Sequence, residues 1–372
     1  MNEEAVRTLP EWRLAETPLH TFDAASTGDS TAFALIGPVR WLSDGTVVIA
    51  DLGANRLQIY DSTGAYHGAL GRRGQGPAEF VTINSVTPMR ADSLAVFDAG
   101  QRRLGVWSAS RGYVRQVGLQ DGGSLEAWPA DAWPWRDSLV VVLQVGITPR
   151  PALGSGETAK RWPMRAQLAL RDSAGHVIAT SPTFAGGYTA LFSNGDARAP
   201  FSYNPFAALA GERVVYGSGD RFQLETLGAT FARNGEIRAP ALDEAFDEAE
   251  AARLYDETVV LLSAFMSADA ARGRLALSFD PAIFPERRPS IGRVLIDDEG
   301  RLWVERFEPM RLGSRLQIPG SRWTVLATDG RPIARLQLPP RTRLEAVRGN
   351  RVAVVRWDEL DVQSAAVLTI QR

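Results

Sequence analysis

The chain has 372 residues, with 41 basic against 43 acidic side chains (net charge -2), 45% hydrophobic and 23% charged residues, and no cysteine. The charge balance lacks the basic excess of a nucleic-acid binder, and no apolar run reaches the roughly 18 residues needed to cross a bilayer. Without cysteine, disulfides, thiolate metal sites and a cysteine nucleophile are excluded.

The opening MNEEAVRTLPEW has no charged stretch followed by an apolar core, so no export signal is read in these residues. The stretch Glu11 to Leu19 (EWRLAETPL) reads as a strand, with Trp12 and Leu14 as its apolar side chains. Asp44 to Gly76 then holds a complete four-stranded unit: an apolar run at Thr46 to Ala50, an alternating run at Arg56 to Asp61, and an Asp-Ser-Thr-Gly turn into a third.

Six segments repeat the apolar run: GTVVIAD (45–51), DSLAVFD (92–98), DSLVVVL (137–143), ERVVYGS (212–218), GRLWVER (300–306) and NRVAVVR (350–356). A short, nearly continuous apolar run behind a turn residue is what a strand buried on both faces between neighbouring blades requires. The repeats start at intervals of 47, 45, 75, 88 and 50 residues, against about 40 to 50 for propeller blades, so two units carry insertions.

The first insertion falls at Gly146 to Pro163 and Thr183 to Ser202, both rich in Gly, Pro and Ser and predicted to be loops. The second, Leu242 to Arg272, has apolar residues near helical spacing, with Asp243 as N-cap and Glu244 and Glu248 on a solvated face. It is predicted to be one or two helices packed on the propeller face. The sixth unit ends at Arg372 after its third strand, so the strand at Glu11 to Leu19 should complete it and remove an exposed edge. The expected fold is all-β: a single six-bladed β-propeller domain over 1–372, closed by an N-terminal strand, with a helical insertion at about 242–272, acting as a monomer.

The run DGTVVIADLGANRLQIYDSTG (44–64), followed by LGRRGQGPAEF (70–80), resembles the NHL-repeat type of six-bladed β-propeller, as found in uncharacterised bacterial proteins. Asp98 and Arg103 of the second unit repeat the spacing of Asp51 and Arg56, a pair expected to bridge a strand-to-strand turn. The resemblance implies a binding or scaffolding module, exported or lipid-anchored, and so an extracytoplasmic (periplasmic) location. Related six-bladed enzymes of the gluconolactonase and paraoxonase kind hold calcium at the channel mouth.

In a propeller, ligands collect where loops of several blades meet at the channel mouth. Residues there are read as Asn84, Asp131, Tyr203, Asn204, Arg343 and Glu345, with Arg72, Arg73 and Glu79 in the preceding loop and Trp128, Trp133 and Trp135 as aromatic surface at the third blade. The tryptophans are weighed between a stacking platform and inter-blade packing. Asn84, Asp131, Asn204 and Glu345 supply four oxygens toward a calcium site of roughly 6 to 8. The first blade, however, offers only Ala34, Leu35 and Ile36. The three histidines lie far apart, and no G-x-S-x-G, H-E-x-x-H or P-loop motif is present. The expectation is therefore a non-catalytic module without a cofactor that recognises a protein, peptide or carbohydrate. A calcium-dependent lactonase or hydrolase is the alternative.

Overall fold

The structure, a computed structural model, describes residues 8–23, 32–119, 127–136, 139–147, 149, 151–193, 195–197, 199–239, 243–309 and 319–372. Six strand units follow one another along the chain and form the blades of a six-bladed β-propeller, the fifth and sixth joined into one sheet by the N-terminal strand. Their first strands are Ile36–Trp41, Ile83–Pro88, Ala127–Trp135, Phe206–Ala210, Ile291–Ile296 and Thr342–Arg348. Each pairs antiparallel with one of the apolar runs, whose central residues are buried on both faces as the sequence requires. Residues 137–138 of the third run lie outside the described residues.

The N-terminus closes the ring. Arg13 and Leu14 of strand Glu11–Leu14 pair antiparallel with Gln371 and Ile370, while Glu11 and Trp12 pair parallel with Arg335 and Leu336 of the fifth blade. His20–Phe22 continues the outer strand of blade 6 opposite Val367 to Ala365. One run was expected where two short strands stand, because Pro18 between them has no N–H to donate; Ala15 and Leu19 keep the ladder by donating to Thr369 and Val367. Trp12 is buried between blades 5 and 6, its ring 5.6 Å from that of Trp303. Phe22 seals blade 6 against Ile36 and Tyr60 of blade 1.

The insertion in blade 3 corrects the sequence reading. Much of it is strand: Leu139–Ile147 and Ala159–Arg171 form a long hairpin, to which Phe184–Phe192 and Gly195–Ala197 add further strands. Pro163 is tolerated because the register slips between Pro163 and Arg165. The second insertion contains α1 (Glu248–Leu262) and α2 (Ala268–Leu275). The N-cap of α1 is Asp247, not Asp243, whose carboxylate instead accepts from Phe222 N and Ser290 Oγ; Leu242 lies outside the described residues.

Glu244 is likewise not on a helix: it pairs with Arg306 (2.6 Å) from the short strand Glu244–Ala245. Buried Arg288 bonds Glu250 of α1 (2.9 Å) and Phe307 O (3.0 Å), tying the helices to blade 5. Both insertions leave the sheets at the end where outer strands pass to the next first strand. They also pack on each other through Tyr188, Phe192 and Ile283, with Leu277 and Phe284. Together they cap one face of the propeller.

Candidate functional site at the capped channel mouth

Five of the six first strands lose register against their partner at equivalent places: between Ile36 and Val39, Ile83 and Ser85, Pro129 and Asp131, Ile291 and Val294, and Leu344 and Ala346. A bulge leaves a residue unpaired and re-aims its side chain. The skipped residues, Gly37, Pro38, Asn84, Ala130, Gly292, Arg293 and Glu345, all line the channel cavities. The slips therefore supply much of the channel wall.

Glu345, buried, gathers three guanidiniums: Arg343 Nε at 2.5 Å, Arg293 Nη1 at 3.7 Å and Arg40 Nη1 at 3.7 Å. Arg293 also bonds Glu305 at 2.7 Å. Burial pulls the Arg293 pKa down, but Glu305 and Glu345 outweigh it and hold the group above the ordinary arginine value. Arg40, which burial holds below that value, is only partly compensated by Glu345. Asp131 accepts from Ser85 Oγ at 2.5 Å and from its neighbour Ala132 N at 2.8 Å, both on Oδ1. Desolvation pushes its carboxyl up to about 6, against these hydrogen bonds and Arg40, which favour the charged form.

Three adjoining cavities, of about 640, 650 and 520 Å³, share Arg293 as a lining residue. The first, at the mouth, lies among Tyr203, Asn204, Arg293, Glu305, Glu308 and Arg343. The second runs down the channel past Arg40, Asn84, Asp131 and Glu345. The third opens toward blades 3 and 4, among Trp128, Trp133, Tyr188, Tyr203 and Asn204. Two glycines hold Tyr203 and Asn204 there. A Cβ at Gly187 (φ 88°) would stand 2.3 Å from Tyr203 O, and one at Gly219 (φ 86°) 3.0 Å from Asn204 O. Burial pushes Tyr203 up to about 12 and Tyr188 higher still.

Of the residues singled out from sequence, Asn84, Asp131, Trp128, Trp133, Tyr203, Asn204, Arg343 and Glu345 all face these cavities. Trp135 does not: it is buried against Phe231 (5.5 Å) in the core between blades 3 and 4. Arg72, Arg73 and Glu79 do not line these cavities; Arg72 and Glu79 border a separate one of about 360 Å³ in their own loop. Glu79 staples its own loop by accepting from Gly76 N (2.8 Å) and Arg72 Nε (2.8 Å), and Arg73 donates to Gly53 O. Asp51 and Arg56 pair at 3.4 Å as expected. Arg103 faces Asp98 in register but donates to Gln116, Gly76 O and Glu79 O, while Asp98 accepts from Val81 N, Thr82 N and Gln101.

Arg40, Arg293 and Tyr188 were not found from sequence; the first two lie at or just past bulges, which change the phase of a strand. Among the described residues, no three His, Cys, Asp or Glu side chains come together as a metal-binding group. Likewise, no helix is long and apolar enough to cross a membrane.

Residues 21–122 match the family described as 6-bladed β-propeller. That span covers the first two blades, whose motifs carry the resemblance to the NHL type. A member of the DUF4221 family from Bacteroides vulgatus is 12% identical, with 98% of this chain and 100% of that one covered and a TM-score of 0.59. A Bacteroides fragilis protein, named as one expected to be exported, is 11% identical, with 100% and 96% covered and a TM-score of 0.50. These likenesses are of fold. No curated protein matches the sequence. The chain is a six-bladed β-propeller, and its resemblance to the NHL-like propellers of uncharacterised bacterial proteins holds.

Proposed function

We propose that this propeller is a non-catalytic binding or scaffolding module that takes a protein, peptide or carbohydrate ligand at the capped channel mouth. The observation that supports it most is the convergence of both insertions on the face where Tyr203, Asn204, Arg293, Arg343 and Glu345 surround a cavity of about 640 Å³. A rigid ring with variable connections gathered at one end is how such folds build recognition sites.

The calcium-hydrolase alternative has Asn84, Asp131 and Glu345 on one cavity wall, yet Arg40 and Arg293 line the same cavity. A divalent ion there would face two guanidiniums as well as the carboxylates, and Glu345 is already shared among three arginines. An extracytoplasmic location and a monomeric state belong to this reading. The first draws on the family resemblance and on the exported character expected of the Bacteroides fragilis neighbour.

The test is a thermal-shift screen of peptide and oligosaccharide libraries against the wild type and a Tyr203→Ala/Asn204→Ala variant. Compounds that stabilise the wild type should lose their effect in the variant. Retained stabilisation would move the binding site off the channel mouth.

A further inference from the structure

We propose that the ligand of the mouth is a neutral oligosaccharide, seated in the cavity between blades 3, 4 and 5 against Trp128 and Tyr203. This rests on the reading of the channel mouth as the binding site and adds the ligand's chemical class. That cavity, about 520 Å³, has aromatic walls formed by Trp128, Trp133, Tyr188 and Tyr203. Trp128, Trp133 and Tyr203 are half-buried: Trp133 and Tyr203 pack in part on neighbouring core clusters, whereas Trp128 belongs to none of them. Tyr188 meets Tyr203 edge-on at 5.8 Å. Flat apolar rings beside polar groups suit a pyranose, whose C–H face stacks while its hydroxyls point to the rim.

The same cavity also presents polar groups. Tyr188 Oη is buried, with the Ser202 hydroxyl, which also accepts from Ala199 N, beside it. A ligand hydroxyl reaching it would add a hydrogen bond to a polar group held away from water. Asp131 accepts from Ser85 and Ala132 on Oδ1 and has the Asn84 amide beside it, so the pair lines the cavity as a carboxyl and an amide. Asn204 is exposed at the opening and offers both a donor and an acceptor. A sugar hydroxyl, at once donor and acceptor, satisfies each of these.

Charge argues for neutrality. Arg40, Arg293 and Arg343 stand against Asp131, Glu305 and Glu345 along the channel, and the arginines are paired with the two glutamates. An anion would have to displace a carboxylate from its guanidinium, and a cation would meet Arg293 in the cavity wall.

The experiment is calorimetric titration with six neutral hexasaccharides, the β-1,4-linked glucan, xylan, mannan and N-acetylglucosamine chains, the β-1,3-glucan and the α-1,4-glucan. The proteins are the wild type, Trp128→Ala, Tyr203→Ala, Tyr188→Phe and a surface control, Phe265→Ala. At least one saccharide should bind the wild type and the control equally, and lose roughly tenfold or more in affinity in Trp128→Ala and Tyr203→Ala, the equivalent of about 1.4 kcal/mol. Tyr188→Phe removes only a hydroxyl and keeps the ring, so it should fold normally and still bind more weakly. This keeps the proposal testable if an alanine variant fails to fold. No binding by any saccharide overturns the carbohydrate class, and a library peptide lost in the Tyr203→Ala/Asn204→Ala variant would then leave the mouth reading standing. Saccharide binding unchanged in all mouth variants overturns both.

Discussion

Asp131 is a channel carboxylate whose titration is set chiefly by desolvation. Its pKa of about 6, raised chiefly by desolvation, means that the fold favours its protonated form. Stability from that preference is present below about pH 4 and is lost as pH rises through about 6, a contribution on the order of 2 to 3 kcal/mol. Asp131→Asn, neutral at every pH and still able to accept from Ser85, should melt with the wild type at pH 4 and a few degrees above it at pH 8. Melting curves at the two pH values decide the matter. A variant that is less stable at pH 8 would show that the pairing of Asp131 with Arg40 outweighs burial.

The polar residues at the starts of first strands were legible because an apolar strand with an isolated Asn, Asp or Glu at its end has few structural reasons for it. Arg40 and Arg293 were not legible. The register breaks between Ile36 and Val39 and between Ile291 and Val294 change the alternation on which facing is read, and Gly37 and Gly292 within them were the local mark that could have shown it. For blade 1 the reading stopped at Ala34, Leu35 and Ile36, whereas Gly37, Pro38 and Arg40 face the channel.

At the scale of elements, the repeated apolar runs showed the blades because burial on both faces removes the usual alternation and leaves a distinct pattern. The extra strands of blade 3 were hidden by composition. Ala159–Arg171 begins in a Gly- and Pro-rich stretch, and its early part is held by Phe184–Phe192 and by packing on the second insertion, contacts remote in sequence. The closing strand was legible from what the end of the chain lacks.

That strand carries a prediction. Trp12 is buried under Trp303, with the Arg372 guanidinium 4.8 Å above its ring. Trp12→Ala should cost about 3 to 5 kcal/mol, and deletion of residues 1–20 should lower the melting temperature further by opening the edge of blade 6. Urea denaturation of the point variant and a melt of the truncated protein measure the two effects. A truncated protein that melts with the wild type would remove the N-terminus from ring closure.

Taken as a whole, the molecule is a closed ring with one elaborated face, and the chemistry of that face decides between recognition and metal-assisted hydrolysis. Aromatic rings, amides and balanced ion pairs favour recognition; the carboxylates available to a divalent ion share their cavity with Arg40 and Arg293. The most direct measurement is a thermal melt of the protein in EDTA and then in excess calcium. Binding at about 100 times the dissociation constant would add roughly 2.7 kcal/mol and raise the midpoint by several degrees. The two curves should coincide. A calcium-dependent rise that disappears when Asn84, Asp131, Asn204 and Glu345 are replaced would contradict the binding-module account and put a metal at the channel mouth.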